Sequence, residues 1–228
     1  MSREPKYIPN SQKRFDISED EYSRGRLGAI SEVFEELKES FPSVGIALFG
    51  ALSKGKVLTH ESHKISDVDV NIFIDANEMP EFLNRGAVRE IAQEMMAKKL
   101  YEKEPSSRRH MTQDIHVIAF DAKKIVDHLT HVDPKESEES ADVWFDALDD
   151  ACKLFHLDIG GGLAKFRKAL LSEIKALPEG QREKIWSEIA RALIIIEREK
   201  TEVPAELTRQ YPATFEEALR YYRVDKPE

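Results

Sequence analysis

The sequence predicts an α+β protein: a mixed sheet with flanking helices, followed by a C-terminal helical domain. Three observations carry that expectation. Short apolar runs at Val44–Phe49, Val68–Ile74 and Ile115–Phe120 have the length and composition of buried strands. The stretches before the first strand and between the second and third repeat apolar residues at helical spacing. Beyond the polar segment 133–140 (Asp-Pro-Lys-Glu-Ser-Glu-Glu-Ser) the strand signals stop, and only helical patterns remain. An α/β domain over 1–137 and a helical domain over 138–228 are therefore expected.

In chain order, residues 1–18 carry Pro5, Pro9 and many polar side chains, and read as an extended arm. Ser18 and Glu21 have capping-box spacing. The apolar series Leu27, Ile30, Val33, Phe34 and Leu37 then predicts a helix that ends at Phe41-Pro42. The first strand, Val44–Phe49, runs into a polar stretch over 50–66 that holds Gly50 and Gly55. After the second strand, Pro80–Tyr101 reads as a helix with Phe82, Leu83, Val88, Ile91, Met95 and Leu100 on its apolar face. A charged connection over 102–113 leads to the third strand, and Lys123–Leu129 to a short helix. The expected C-terminal helices are Asp142–Leu157, Leu163–Leu177, Glu179–Lys200 and Thr214–Tyr222.

A chain of 228 residues suits one medium domain or two small ones with a real core. At 41% hydrophobic and 34% charged, it has the makeup of a folded soluble protein rather than a disordered one. The net charge of −9 argues against extended nucleic-acid binding, whose footprint is basic. Local basic groups occur at Arg3, Lys6, Lys13 and Arg14, and at Lys103, Arg108, Arg109 and His110. Apolar runs such as Ala192–Ile196 are too short to span a bilayer, so no membrane partner is expected. Met1–Lys6 leads into no apolar stretch, and the lone Cys152 has no partner for an internal disulfide. A cytoplasmic location is the simplest expectation.

The residues that suggest chemistry are acidic. Asp67 and Asp69 lie two apart at the start of the second strand, so they share a face. Asp114 leads the third strand. Clustered carboxylates repel unless a cation joins them, and a hard cation such as Mg2+ prefers oxygen ligands. Ahead of them, Gly45–Phe49 runs into the Gly- and Lys-bearing segment Gly50-Ala51-Leu52-Ser53-Lys54-Gly55-Lys56. A glycine turn lets backbone N–H groups approach phosphate closely. Strand, turn and paired acids together suggest a site for a metal-bound triphosphate.

Over roughly residues 25–125, this arrangement resembles the DNA-polymerase-β-like nucleotidyltransferase superfamily: Phe49-Gly50-Ala51 after a strand, then Asp67-x-Asp69, then Asp114. The resemblance implies a nucleotidyltransferase-like mixed sheet and transfer of a nucleoside monophosphate from a triphosphate, ATP by default, to an acceptor hydroxyl. Pyrophosphate would leave. The acceptor would be a small molecule, a protein side chain or an RNA end. The resemblance also implies two Mg2+ ions, with Mn2+ as an alternative, held by Asp67, Asp69 and Asp114. Asp114 would also help deprotonate the acceptor. Gly50, Ala51, Ser53, Lys54 and Ser66 would contact the nucleotide. The family's usual residue after the glycine is Ser, and this chain has Ala51, which keeps the N–H and loses the hydroxyl. Ser53 is the nearest replacement, and Lys54 or Lys56 could neutralise phosphate charge. Ala51 keeps a second reading open: a catalytically weak binding or regulatory module, for example a toxin–antitoxin component. A cation-binding structural protein is a third.

Other candidates carry less. His60/His63 and His128/His131 have zinc-like spacing, but no further Cys or His completes a tetrahedral set. Gly160–Gly162 reads as a helix–helix hinge, and Cys152 as a buried filler. Trp144, Phe145, Leu148, Phe155 and Ile194–Ile196 read as packing positions. His116, on the face of Asp114, reads as structural. No Ser/His/Asp arrangement suggests a hydrolase.

Overall fold

The computed structural model describes residues 21–50, 52–54, 68–80, 84–103, 113–200 and 211–224. It is α+β, built on a four-stranded mixed sheet of order β3-β2-β1-β4. Helix α1 (Glu21–Ser40) precedes β1 (Val44–Phe49), and β2 (Val68–Asp75) is followed by α2 (Arg85–Lys103) and β3 (Gln113–Phe120). Then come α3 (Ala122–His131), α4 (Glu138–Lys153), β4 (Leu157–Ile159), α5 (Leu163–Lys175), α6 (Glu179–Lys200) and α7 (Phe215–Tyr221). β1 pairs antiparallel with both β2 and β4, whereas β2 and β3 run parallel, joined through α2.

Two compact units divide the described residues. One takes the described residues from Glu21 to Phe120 together with His156–Leu163; the other takes Asp121–Phe155 and the described residues from Ala164 onward. The sequence places a single boundary at 137/138. In the structure, the sheet-bearing unit instead recovers β4 from beyond that point, and α3 belongs to the helical unit.

In the sheet-bearing unit, strand alternation separates two faces. Val44, Ile46, Leu48, Val68, Val70, Ile72, Ile74, Ile115, Val117, Leu157 and Ile159 share one core with α1 and α2. α1 contributes Ala29, Ile30, Val33, Phe34 and Leu37, at the spacing the sequence predicts. α2 differs from expectation. It begins at Arg85 and turns Val88, Ala92, Met96 and Leu100 inward, a series at four-residue spacing, so Ile91 stays exposed. Its ion pairs with α1 fix the outer side: Lys99 reaches Glu36 at 2.7 Å, and Lys103 reaches Glu32 at 2.6 Å.

β4 is a correction. The sequence assigns 142–157 to helix, but α4 runs Glu138–Lys153 with Ser137 as its N-cap, and Leu157 opens a strand. Gly160–Gly162 is therefore a strand-to-helix turn, not a helix–helix hinge. Gly160 has φ +80°, and a methyl group there would overlap the Phe34 ring. A methyl group on Gly162 would lie 2.5 Å from the Val44 carbonyl oxygen. Only glycines allow this close return of the chain. Asp158 then accepts from the Leu163 N–H at 3.2 Å, capping α5.

The helical unit packs around Trp186, which is fully buried and donates from Nε1 to the Pro212 carbonyl at 2.9 Å. Phe155 meets it edge-on, with ring centroids 5.5 Å apart. Thr214 and Glu217 form a reciprocal capping box at the start of α7. Two expected packing positions are instead on the surface, since Phe145 and Ile195 are exposed. Cys152 is buried, and its thiol points at the Ile189 carbonyl oxygen. Among the described residues, no helix is long and apolar enough to cross a membrane.

Candidate functional site

The sheet face away from the α1/α2 core carries every odd-numbered position of β2: Asp69, Asn71, Phe73 and Asp75. On β3 the same face carries Asp114, His116, Ile118 and Phe120. The face is graded. Polar groups occupy the entry ends of β2 and β3; further along, Phe73 and Phe120 pack edge-on at 6.1 Å, and Asp75 ends β2.

Register brings the acids together. Phe49 pairs with Asp69, and Asp69 pairs in turn with Asp114. Paired positions on adjacent strands point the same way, so the two side chains leave the same face of the sheet from neighbouring strands. Carboxylates that approach one another repel unless a cation joins them. A cation between them would remove that repulsion. β3 is an edge strand, which leaves the Asp114 side chain 52% exposed.

Gly50 follows β1 with φ +71°, the left-handed region. A methyl group at this position would overlap Asp69 Oδ2 and lie 2.7 Å from its Cγ. The glycine backbone thus lies directly against the Asp69 carboxylate, in a cradle that any side chain would fill. Ser53 is fully buried, and its hydroxyl donates to the Gly50 carbonyl at 2.8 Å. Its single O–H therefore holds the turn in place. Lys54 ends the same short 3₁₀ turn, Leu52–Lys54.

The next row across the sheet is Asp158, Ala47, Asn71 and His116. His116 Nε2 lies 3.0 Å from Asp114 Oδ1. The Phe49 ring lies between two imidazoles, 6.4 Å from His116 and 5.5 Å from His156. Asn71 is fully buried. Its Nδ2 reaches His156 Nδ1 at 3.4 Å, and its Oδ1 has no hydrogen-bond partner among the described residues.

Of the expected site residues, the structure brings together Gly50, Ser53, Asp69 and Asp114. Asp67, Ala51 and Ser66 lie outside the described residues, as do His60, His63, Lys56, Arg108, Arg109, His110 and the basic N-terminal segment. His131 is exposed on α3, where its Nδ1 sits 2.8 Å from Thr130 Oγ1. Among the described residues, no three His, Cys, Asp or Glu side chains are grouped to hold a metal ion. Asp69 and Asp114 are the two carboxylates of the expected set among the described residues, and carboxylate oxygen is the ligand type that a hard divalent cation prefers. Sequence reasoning placed His116 on the face of Asp114 and read it as structural, and it did not single out Asn71. The alternation of β2 and β3 was the signal available for both.

No family model, curated protein or solved structure matches the chain.

Proposed function

We propose that the protein is a Mg2+-dependent nucleotidyltransferase that moves a nucleoside monophosphate from a triphosphate to an acceptor hydroxyl. One observation carries the reading: Asp69 and Asp114 are register partners on adjacent parallel strands, and Gly50 is packed against the Asp69 carboxylate. Asp69 and Asp114, together with Asp67, would hold the metal, which when bound neutralises charge on the attacking and leaving oxygens.

The chain's own groups then have distinct tasks. The Gly50 turn offers main-chain approach to the phosphates, unobstructed by a side chain. Asp69, pinned against that turn, marks the donor side. Asp114, on the exposed edge strand, faces the acceptor and takes the proton from its hydroxyl. That oxygen bonds to the α-phosphorus as the bond to pyrophosphate breaks, and the pyrophosphate leaves with the electron pair. Rigid placement on two paired strands supplies the alignment such a displacement needs.

Pyrophosphate release with Mg2+ and each of the four nucleoside triphosphates, over a panel of acceptors, tests the reading. Asp69→Asn and Asp114→Asn should each abolish release while preserving the thermal transition. Full turnover in both variants would refute it. A second reading, triphosphate binding without turnover, is favoured by the turn itself. Ala51 has no hydroxyl, and the Ser53 hydroxyl is committed to the Gly50 carbonyl. In that case Asp69-dependent nucleotide binding would persist with no pyrophosphate released under any acceptor.

A further inference from the structure

We propose that His116 is a positioning residue of this site: its Nε2–H fixes the Asp114 carboxylate so that Oδ2 is presented to the cation. The inference rests on the metal-site reading above. His116 and Asp114 lie two apart on β3, on the same face, and Nε2 reaches Oδ1 at 3.0 Å. A carboxylate only accepts hydrogen bonds, so the contact places the imidazole proton on Nε2. The His116 side chain is half-buried against the same sheet face. Its register partner, Asn71, is fully buried, and the Phe49 ring lies 6.4 Å away.

Asp114 gains from such a partner because it is exposed. With 52% of its side chain open to solvent, packing alone constrains the carboxylate only in part. A donor on Oδ1 selects one orientation and leaves Oδ2, with its lone pairs, for a hard cation. Hydrogen bonds of this kind to ligating groups typically change metal affinity by about 10- to 100-fold when removed. His116 thus acts through Asp114 and does not itself ligate.

Mn2+ binding to the full chain, followed by electron paramagnetic resonance without any nucleotide, tests the assignment. His116→Ala should weaken binding by about tenfold or more. His116→Gln, whose side-chain N–H sits at the same number of bonds from the backbone as Nε2–H, should recover most of that loss. In an Asp114→Asn background, His116→Ala should add no further loss. Unchanged binding in His116→Ala, with binding still lost in Asp69→Asn, would overturn the positioning role and leave the metal site standing. Nitrogen hyperfine coupling to Mn2+ that vanishes in both His116 variants would also overturn it, by making His116 a ligand. No Mn2+ binding to the wild type would overturn the metal-site reading and this inference together.

Discussion

Alanine at Gly50 should disturb both the fold and the site. Gly50 has φ +71°, a region that costs a residue with Cβ about 1–2 kcal/mol. The new methyl group would also overlap Asp69 Oδ2. Relief requires the carboxylate to leave its rotamer, at about 0.5–1.5 kcal/mol. Together these give a loss of roughly 2–3 kcal/mol. For a chain of this size each kcal/mol lowers Tm by about 2–4 °C, so the expected drop is roughly 5–10 °C. Gly161→Ala is the matched control. Gly161 has φ +79°, but a methyl group there meets nothing within 4 Å, so only the backbone part of the loss applies. Circular dichroism melts of both variants, with Mn2+ titrations alongside, separate the two contributions. If Gly50→Ala melts no lower than Gly161→Ala and binds Mn2+ like the wild type, the packing of Gly50 against Asp69 has no part in stability or binding, and the reasoning fails.

Four further outcomes are expected. Burial pushes the Cys152 thiol up, away from its reactive thiolate, so a thiol reagent at pH 8 should leave native protein unlabelled and label it fully in denaturant; rapid native labelling would contradict its burial. Trp186→Ala removes the centre of the helical unit and should cost about 3–5 kcal/mol in denaturant unfolding, whereas a loss below about 1 kcal/mol would contradict the packing. Asn71→Leu removes a buried acceptor that has no partner among the described residues, so stability in the absence of ligand should stay within about 1 kcal/mol of wild type or rise; a loss above about 2 kcal/mol would mean that Oδ1 is satisfied. The hydrogen bond from Lys103 holds the Glu32 carboxyl below its usual range. The small advantage of wild type over Glu32→Gln should therefore be complete above the ordinary carboxylate range and disappear as pH falls through the lowered value; a difference that grows with acidity would contradict it.

Local pattern made three of the four strands legible. β1 and β2 start where their apolar runs start, because a buried strand must be apolar on the face it turns to the core. β3 begins at Gln113, so Asp114 sits within the strand rather than ahead of it. Pairing was not legible. Nothing in Asp69 or Asp114 alone says that β2 and β3 run parallel with those two residues opposite each other; that follows from long-range register. β4 escaped for a related reason. Three residues, Leu157-Asp158-Ile159, are too few to show alternation, and their strand character comes from pairing with β1. Ile91 shows the limit of a helical apolar count. Spacings of three and four both fit the sequence, and only packing selects the series Val88, Ala92, Met96 and Leu100. At the site, the glycine and the acids were visible as residue types. Alternation puts Asn71 and His116 on the site face, but that Asn71 Oδ1 has no partner among the described residues, and that His116 reaches Asp114, depend on side-chain placement that alternation does not fix.

The most direct measurement is a crystal soaked with Mn2+ and a non-hydrolysable nucleoside triphosphate, with data collected for anomalous scattering. The expected result is a Mn2+ peak within ligand distance of both Asp69 and Asp114, with triphosphate oxygens against the Gly50 turn. Triphosphate bound elsewhere, or no peak at these two carboxylates at saturating Mn2+, would contradict a metal-dependent nucleotide site on this sheet face.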